Sequence, residues 1–196
     1  MKKRKVVVFD FDGTLTRKDT FLEFIKFAKG RFTFYCGILM CSPVLLSYLV
    51  HLCPNDKAKQ FVFSYFFKGM SYRDFKNKGV AFSEIIDTIV RPRMKDEINR
   101  LIKSEATIYV ISASLTEWVA PWCSKNHIDK VLGTLPEVSC DGFLTGRFLT
   151  KNCYGQEKVN RLLEMEPNRF SYYLIAYGDS EGDKEILRFA DEGNMI

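Results

Sequence analysis

Val6-Val7-Val8-Phe9 is a short unbroken run of β-branched and aromatic residues, the pattern of a strand buried on both faces of a parallel sheet. Thr107 to Ile111 and Tyr172 to Tyr177 repeat that pattern in length and character. Helical periodicity lies between such runs: Ile98, Leu101 and Ile102 share a stripe of Met94 to Lys103, and Val159, Leu162 and Leu163 share one of Gln156 to Met165. Alternating strands and helices predict a doubly wound α/β core.

About ninety residues separate the first two strands, far too many for one crossover helix. They read as helices over Thr20 to Lys29, Phe34 to Leu52, Lys57 to Lys68 and Tyr72 to Val90, punctuated by Gly30, Pro54, Gly69 and Pro92. The organisation expected is a core of residues 1–16 and 101–196 with an all-helical insertion over 17–100. From Lys130 to Leu149, Asp141-Gly142 between β-prone segments predicts a hairpin excursion. The chain runs 13 residues past Asp183, little room for a further core strand.

Composition narrows the class. With 196 residues, 46% hydrophobic and 27% charged, the chain can bury a core without disulfides or a structural metal. Its six cysteines form no CxxC pair and only two histidines accompany them, which argues against zinc and fits free thiols in a reducing cytoplasm. A net charge of +5 suits an anionic ligand or a membrane surface, and no nucleic acid or obligate protein partner is expected. The basic start, Lys2 to Lys5, reads as a solvated lead-in, and the run Val6 to Phe9 is too short for a signal peptide.

The three buried runs each lead into small polar or acidic residues: Asp10 and Asp12, then Ser112, then Asp179. Ligands of open parallel sheets bind beyond the carboxyl ends of the strands, so these groups are expected in one crevice. Asp10 and Asp12, two apart on extended chain, project to one side, and a divalent cation would relieve their repulsion. Gly13 lets the backbone reverse tightly beside an anion. Asp179 and Asp183 supply further carboxylates, and an all-oxygen set suits Mg²⁺. Each motif also has a plain structural reading. Asp10-x-Asp12-Gly13 alone is a strand ending in an Asx turn, Ser180 with Asp183 is a capping box, Ser114 is an N-cap, and Lys158 is a surface cation.

Taken in order, Asp10-Phe11-Asp12-Gly13-Thr14-Leu15-Thr16, Ser112, Lys158 and Gly178-Asp179-Ser180-x-x-Asp183 resemble the four motifs of the haloacid dehalogenase superfamily. The resemblance covers nearly the whole chain. It implies a Rossmannoid three-layer core with a helical C1-type cap inserted after the first motif, as in subfamily IB. It further implies a Mg²⁺-dependent phosphatase in which Asp10 is the nucleophile and Asp12 the acid and base. Ser112, Ala113, Lys158 and Thr14 would hold the phosphoryl group. Asp10, the Asp12 carbonyl, Asp179 and, through water, Asp183 would hold the cation. An acid at Asp12 points to phosphate esters rather than carbon–halogen bonds. Asp19 stands where the similar phosphoserine phosphatases carry Glu, and their cap arginine has no clear counterpart. Asp19-x-Phe21 followed by basic and then apolar segments resembles the phosphatidylglycerophosphate phosphatases instead. Alternatives are a phosphoserine-type metabolite phosphatase, a phosphotransferase, or a peripheral membrane protein that binds phosphate without turnover.

Phe32 to Asn55 carry no formal charge, a length that could span a membrane, although Pro43 sits near the middle. A single crossing would put Asp10 and Ser112 on opposite sides of the bilayer. What remains is a buried pair of cap helices or a segment lying in the interface at the inner face of the membrane, with Lys26, Lys29, Arg31, Lys57 and Lys59 facing head groups.

Overall fold

The computed structural model describes residues 3–128 and 130–196; Lys2 of the basic lead-in lies outside them. Five parallel strands form the central sheet in the order β3-β2-β1-β6-β7. They are β1 (Arg4–Phe9), β2 (Thr107–Leu115), β3 (Lys130–Thr134), β6 (Tyr172–Gly178) and β7 (Glu192–Met195). Strand alternation divides the core in two. Val7, Phe9, Ile108, Val110 and Ile175 enter one apolar cluster, while Val6, Val8, Tyr109, Ile111 and Leu174 enter the other. Helices α5 (Pro92–Lys103) and α6 (Thr116–Lys125) cover the first face, and α7 (Gln156–Met165) and α8 (Lys184–Phe189) the second.

The expected elements are recovered with shifts at their ends and three differences. Lys130 to Thr134 is a core strand, because it pairs with β2 from Tyr109↔Lys130 onward. Only β4 (Pro136–Val138) and β5 (Leu144–Phe148) make the antiparallel excursion. The few residues past Asp183 do hold a further strand: β7 pairs with β6 after the single short helix α8. Arg4 and Lys5, expected as lead-in, begin β1, and Arg4 donates to Glu166 at 3.1 and 2.5 Å.

Four helices cover the carboxyl ends of the strands: α1 (Thr20–Lys29), α2 (Arg31–Leu49), α3 (Asn55–Phe67) and α4 (Tyr72–Ile86). The Asp19 carboxylate accepts from Leu22 N–H and caps α1, and Gly30, at φ 85°, turns the chain directly into α2. Phe24 stacks on Trp118 at 4.4 Å between centroids and contacts Phe67, Phe75 and Phe82, so these helices share a core with the sheet. Two passages join the layers side by side: Thr16 bridges Val90, Arg17 N–H donates to Ile89 and Arg91 N–H to Leu15. Met94, Ile98 and Leu101 place α5 under the sheet rather than among the covering helices. The β4–β5 hairpin clasps the covering helices from outside: Gly69 N–H donates to the Leu144 carbonyl, and Leu144 N–H donates to the Met70 carbonyl.

Helix α2 is neither a buried helix nor half of a buried pair. Among the described residues it is the one helix long and apolar enough to cross a membrane, yet only 17% of its apolar stretch is buried. It passes unbroken through Pro43, whose ring lies on the exposed side.

Candidate active site

β1 leads into Asp10, and the next residues make a tight turn in which Gly13 has φ 82°. Only glycine fits there: a Cβ would stand 2.0 Å from Asp179 Oδ2. The acids distant in sequence thereby meet. Asp10, Asp179 and Asp183 each offer a carboxylate oxygen within 4.8 Å of the others. Buried Lys158, from α7, donates to Asp10 Oδ1 at 2.6 Å and to Asp183 Oδ1 at 2.5 Å. Lys158 is thus no surface cation. Burial disfavours its charge, but the two carboxylates outweigh that effect and raise its pKa, holding it protonated.

Asp183 spends its other oxygen on Ser180, accepting from its N–H at 3.1 Å and its hydroxyl at 2.8 Å. The capping-box reading of this pair therefore holds alongside its place at the site. Thr14 is fully buried, and its hydroxyl donates to Asp179 Oδ1 at 2.9 Å. Its side chain orients Asp179 rather than facing the pocket. The second oxygens of Asp10 and Asp179 have no hydrogen-bond partner among the described residues. Hard oxygen donors crowded around one ammonium leave an excess of negative charge, which fits Mg²⁺. Consistent with that excess, burial pushes the Asp10 carboxyl up to about 7; Lys158 opposes this, while Asp183 and Asp12 add to it.

Asp12 faces the covering helices. Its Oδ1 accepts from Thr20 N–H at 2.8 Å and Thr20 Oγ1 at 2.6 Å, and its Oδ2 accepts from Ser114 Oγ. Trp118 Nε1 donates to Thr20 Oγ1 at 3.0 Å, anchoring that hydroxyl. Burial and then the charge of Asp19 push Asp12 up to about 6, against the donors from Ser114 and Thr20. Ser114 is therefore not an N-cap. β2 continues through it to Leu115, and Leu115 precedes α6 with no side-chain cap.

These groups open into a cavity of about 650 Å³ lined by Asp10, Asp12, Ser112, Ala113 and Lys158 from the sheet side and by Asp19 at the start of α1. Ser112 Oγ accepts from Ser114 N–H at 3.0 Å. The opposite wall is largely apolar: Phe21, Phe34, Ile38, Leu45 and Val62. One cation interrupts it. Lys59, expected at a lipid surface, points inward, donates to the Ala113 carbonyl at 2.7 Å and lies 5.3 Å from the Phe21 ring centroid. Burial lowers its pKa, while Asp19, Asp12 and Asp10 pull the other way.

Thr20, Ser114, Lys59 and Arg91, whose Nε donates to the Gly13 carbonyl at 3.0 Å, carry site roles that the sequence motifs do not mark. Only Ser114 left a signal, standing two residues from Ser112 on what proves to be one strand.

The haloacid dehalogenase-like hydrolase model matches residues 7–188. Protein CicA of Caulobacter vibrioides is 34% identical over 189 residues, covering 95% of this chain and 83% of CicA. A Bordetella pertussis Tohama I protein of unknown function is similar in structure, with TM-score 0.80 and 17% identity over 95% of this chain and 87% of that one. A phosphoserine phosphatase solved with an analogue of its phospho-aspartyl intermediate gives TM-score 0.66 and 20% identity over 96% and 84%. Motifs, fold and site geometry agree with these matches, and the chain belongs to the haloacid dehalogenase-like hydrolase family.

Proposed function

We propose that this protein is a Mg²⁺-dependent phosphomonoesterase of the subfamily IB type, with α1–α4 as its cap and a small-molecule or lipid-linked phosphate as substrate. The observation that carries this reading is the Asp10 carboxylate, set at the floor of a cavity between Lys158 and the acids Asp179 and Asp183. Asp10, Asp179 and the Asp12 carbonyl, with Asp183 acting through water, would hold Mg²⁺, which would supply the charge neutralisation that lets an anionic nucleophile approach an anionic phosphate.

Asp10 attacks phosphorus in line, forming an acyl phosphate as the ester P–O bond breaks. Asp12 gives its proton to the leaving oxygen; a carboxyl pushed up to about 6 keeps part of its population protonated near neutrality. Asp12 then takes a proton from the water that attacks the same phosphorus, which frees inorganic phosphate and restores Asp10. Lys158, Ser112 and the Ala113 N–H hold the phosphoryl oxygens, and Asp19, at the pocket mouth, bears on specificity.

The apolar wall favours a lipid-linked ester such as phosphatidylglycerophosphate, with the enzyme peripheral at the inner face of the membrane. Lys59 supports a second reading, a phosphoserine-type substrate whose leaving group carries an anion. Phosphate release from a panel of lipid and water-soluble monoesters, with and without Mg²⁺, tests the proposal. Metal-dependent release from at least one class is expected, and inactivity across the panel would overturn it.

A further inference from the structure

Helix α2 carries two apolar stripes at helical spacing. The inward one, Phe34, Ile38, Cys41 and Leu45, packs on the neighbouring helices, and Phe34, Ile38 and Leu45 also line the catalytic cavity. The outward one runs Phe32, Tyr35, Leu39 and Leu46, with Phe32 84% and Leu39 72% exposed. A helix on the surface of a soluble protein keeps its outer stripe polar. This one has no charged residue from Phe32 to Leu49, so its outer face has no partner in water.

Two observations identify that partner. Both ends of the stripe carry a cation: Arg31 opens α2 and Lys57, beside the exposed Asp56, follows it, both cations exposed and without an ion pair among the described residues. Arg31 also stands at the positive end of the helix dipole, a place that favours an external anion. The second is continuity, since one helix thickness separates the outer stripe from the wall of the site. Resting on the phosphatase reading above, we infer that α2 lies in the plane of an anionic bilayer, outer stripe among the acyl chains, and presents the catalytic cavity to lipid phosphomonoesters.

The helix is held in that orientation. Phe34 stacks on Phe66 with centroids 6.4 Å apart, and a Cβ on Gly37 would meet the Phe66 ring at 2.3 Å. Both neighbours of α2 in sequence, α1 and α3, return to the same packed unit, so α2 lies on the surface and does not cross it. Arg31 and Lys57 then meet phosphate head groups while Leu39 and Leu46 enter the apolar layer.

Co-sedimentation with phosphatidylcholine vesicles, with and without a share of phosphatidylglycerol, tests the inference on the full chain. Wild type should pellet with the anionic vesicles, and the Leu39→Glu/Leu46→Glu variant should lose at least about tenfold in partitioning. Turnover of water-soluble p-nitrophenyl phosphate without vesicles should be unchanged in that variant, because neither side chain lines the cavity. Hydrolysis of vesicle-borne phosphatidic acid should fall with the partitioning. If the double glutamate variant folds poorly, Leu39→Gln/Leu46→Gln gives the same readout. Wild type remaining in the supernatant with both vesicle types would overturn the inference. So would sedimentation velocity showing a dimer that the variant dissolves, because a second copy would then cover the stripe. Binding to vesicles without turnover of any ester would instead sink the phosphatase reading and leave the docking intact.

Discussion

Replacing Asp10 by Asn removes one charge from a buried cluster of carboxylates that share a single ammonium, and it keeps the side-chain shape. Burial and neighbouring acids push this carboxyl from 3.8 to about 7, so the protein disfavours its charged form despite Lys158. A rise of that size corresponds to a ceiling of about 4 kcal/mol. Allowing for relaxation and for the weaker bond from an amide to Lys158, about 2 kcal/mol is expected, or roughly 4–8 °C in Tm for a chain of this size. In EDTA at pH 8, calorimetry should therefore show Asp10→Asn melting above wild type. The sign with pH follows: a raised carboxyl contributes stability that is present below 3.8 and lost as pH rises through about 7, so the gap should narrow toward pH 5. Adding Mg²⁺ should close or reverse it, since wild type gains about 2.7 kcal/mol at a hundred times Kd and the variant has lost a ligand. Turnover should fall on the order of 10⁴-fold or more in the variant. A variant that melts below wild type in EDTA, or gains as much from Mg²⁺, would refute this electrostatic origin.

Three other perturbations probe separate parts of the site and fold. Gly13→Ala should abolish Mg²⁺-dependent stabilisation in thermal melts, because its Cβ would occupy the space of Asp179 Oδ2. Thr20→Val deletes a donor to Asp12 and an acceptor for Trp118; about 1–3 kcal/mol of stability should be lost by urea titration, and the acidic limb of the kcat profile should move upward. Arg4→Ala should cost about 1 kcal/mol at pH 7. Arg4 and then Tyr109 hold Glu166 below its ordinary 4.5, so that cost should vanish as pH falls below 4.5, checked by urea titration across pH.

The framework of the candidate site was legible in the sequence because its groups sit at strand ends, and buried parallel strands announce themselves as unbroken apolar runs. Asp10, Ser112 and Asp179 follow from that alone. The helices of the covering unit were equally visible, since Gly30, Pro54 and Gly69 mark their ends. The place of Lys59 is not legible in the sequence for a physical reason: a lysine beside an apolar helix looks like a surface cation, and only the packing of α3 on α2 aims it at Ala113. Thr20 carries no pattern of its own; its role arises where Asp12, Ser114 and Trp118 converge from three elements. β3 is legible only as a β-prone segment of unassigned pairing and β7 not at all, because a short edge strand is too brief to set a period.

Whether Asp10 takes the phosphoryl group is decided by acid-quenching the Mg²⁺-loaded enzyme during steady-state turnover of a phosphomonoester and mapping the product by mass spectrometry. One added phosphoryl group is expected on the peptide carrying Asp10, absent when Asp10 is Asn. A quenched enzyme that turns over yet carries its phosphoryl group on another residue, or on none, would rule out Asp10 as the nucleophile.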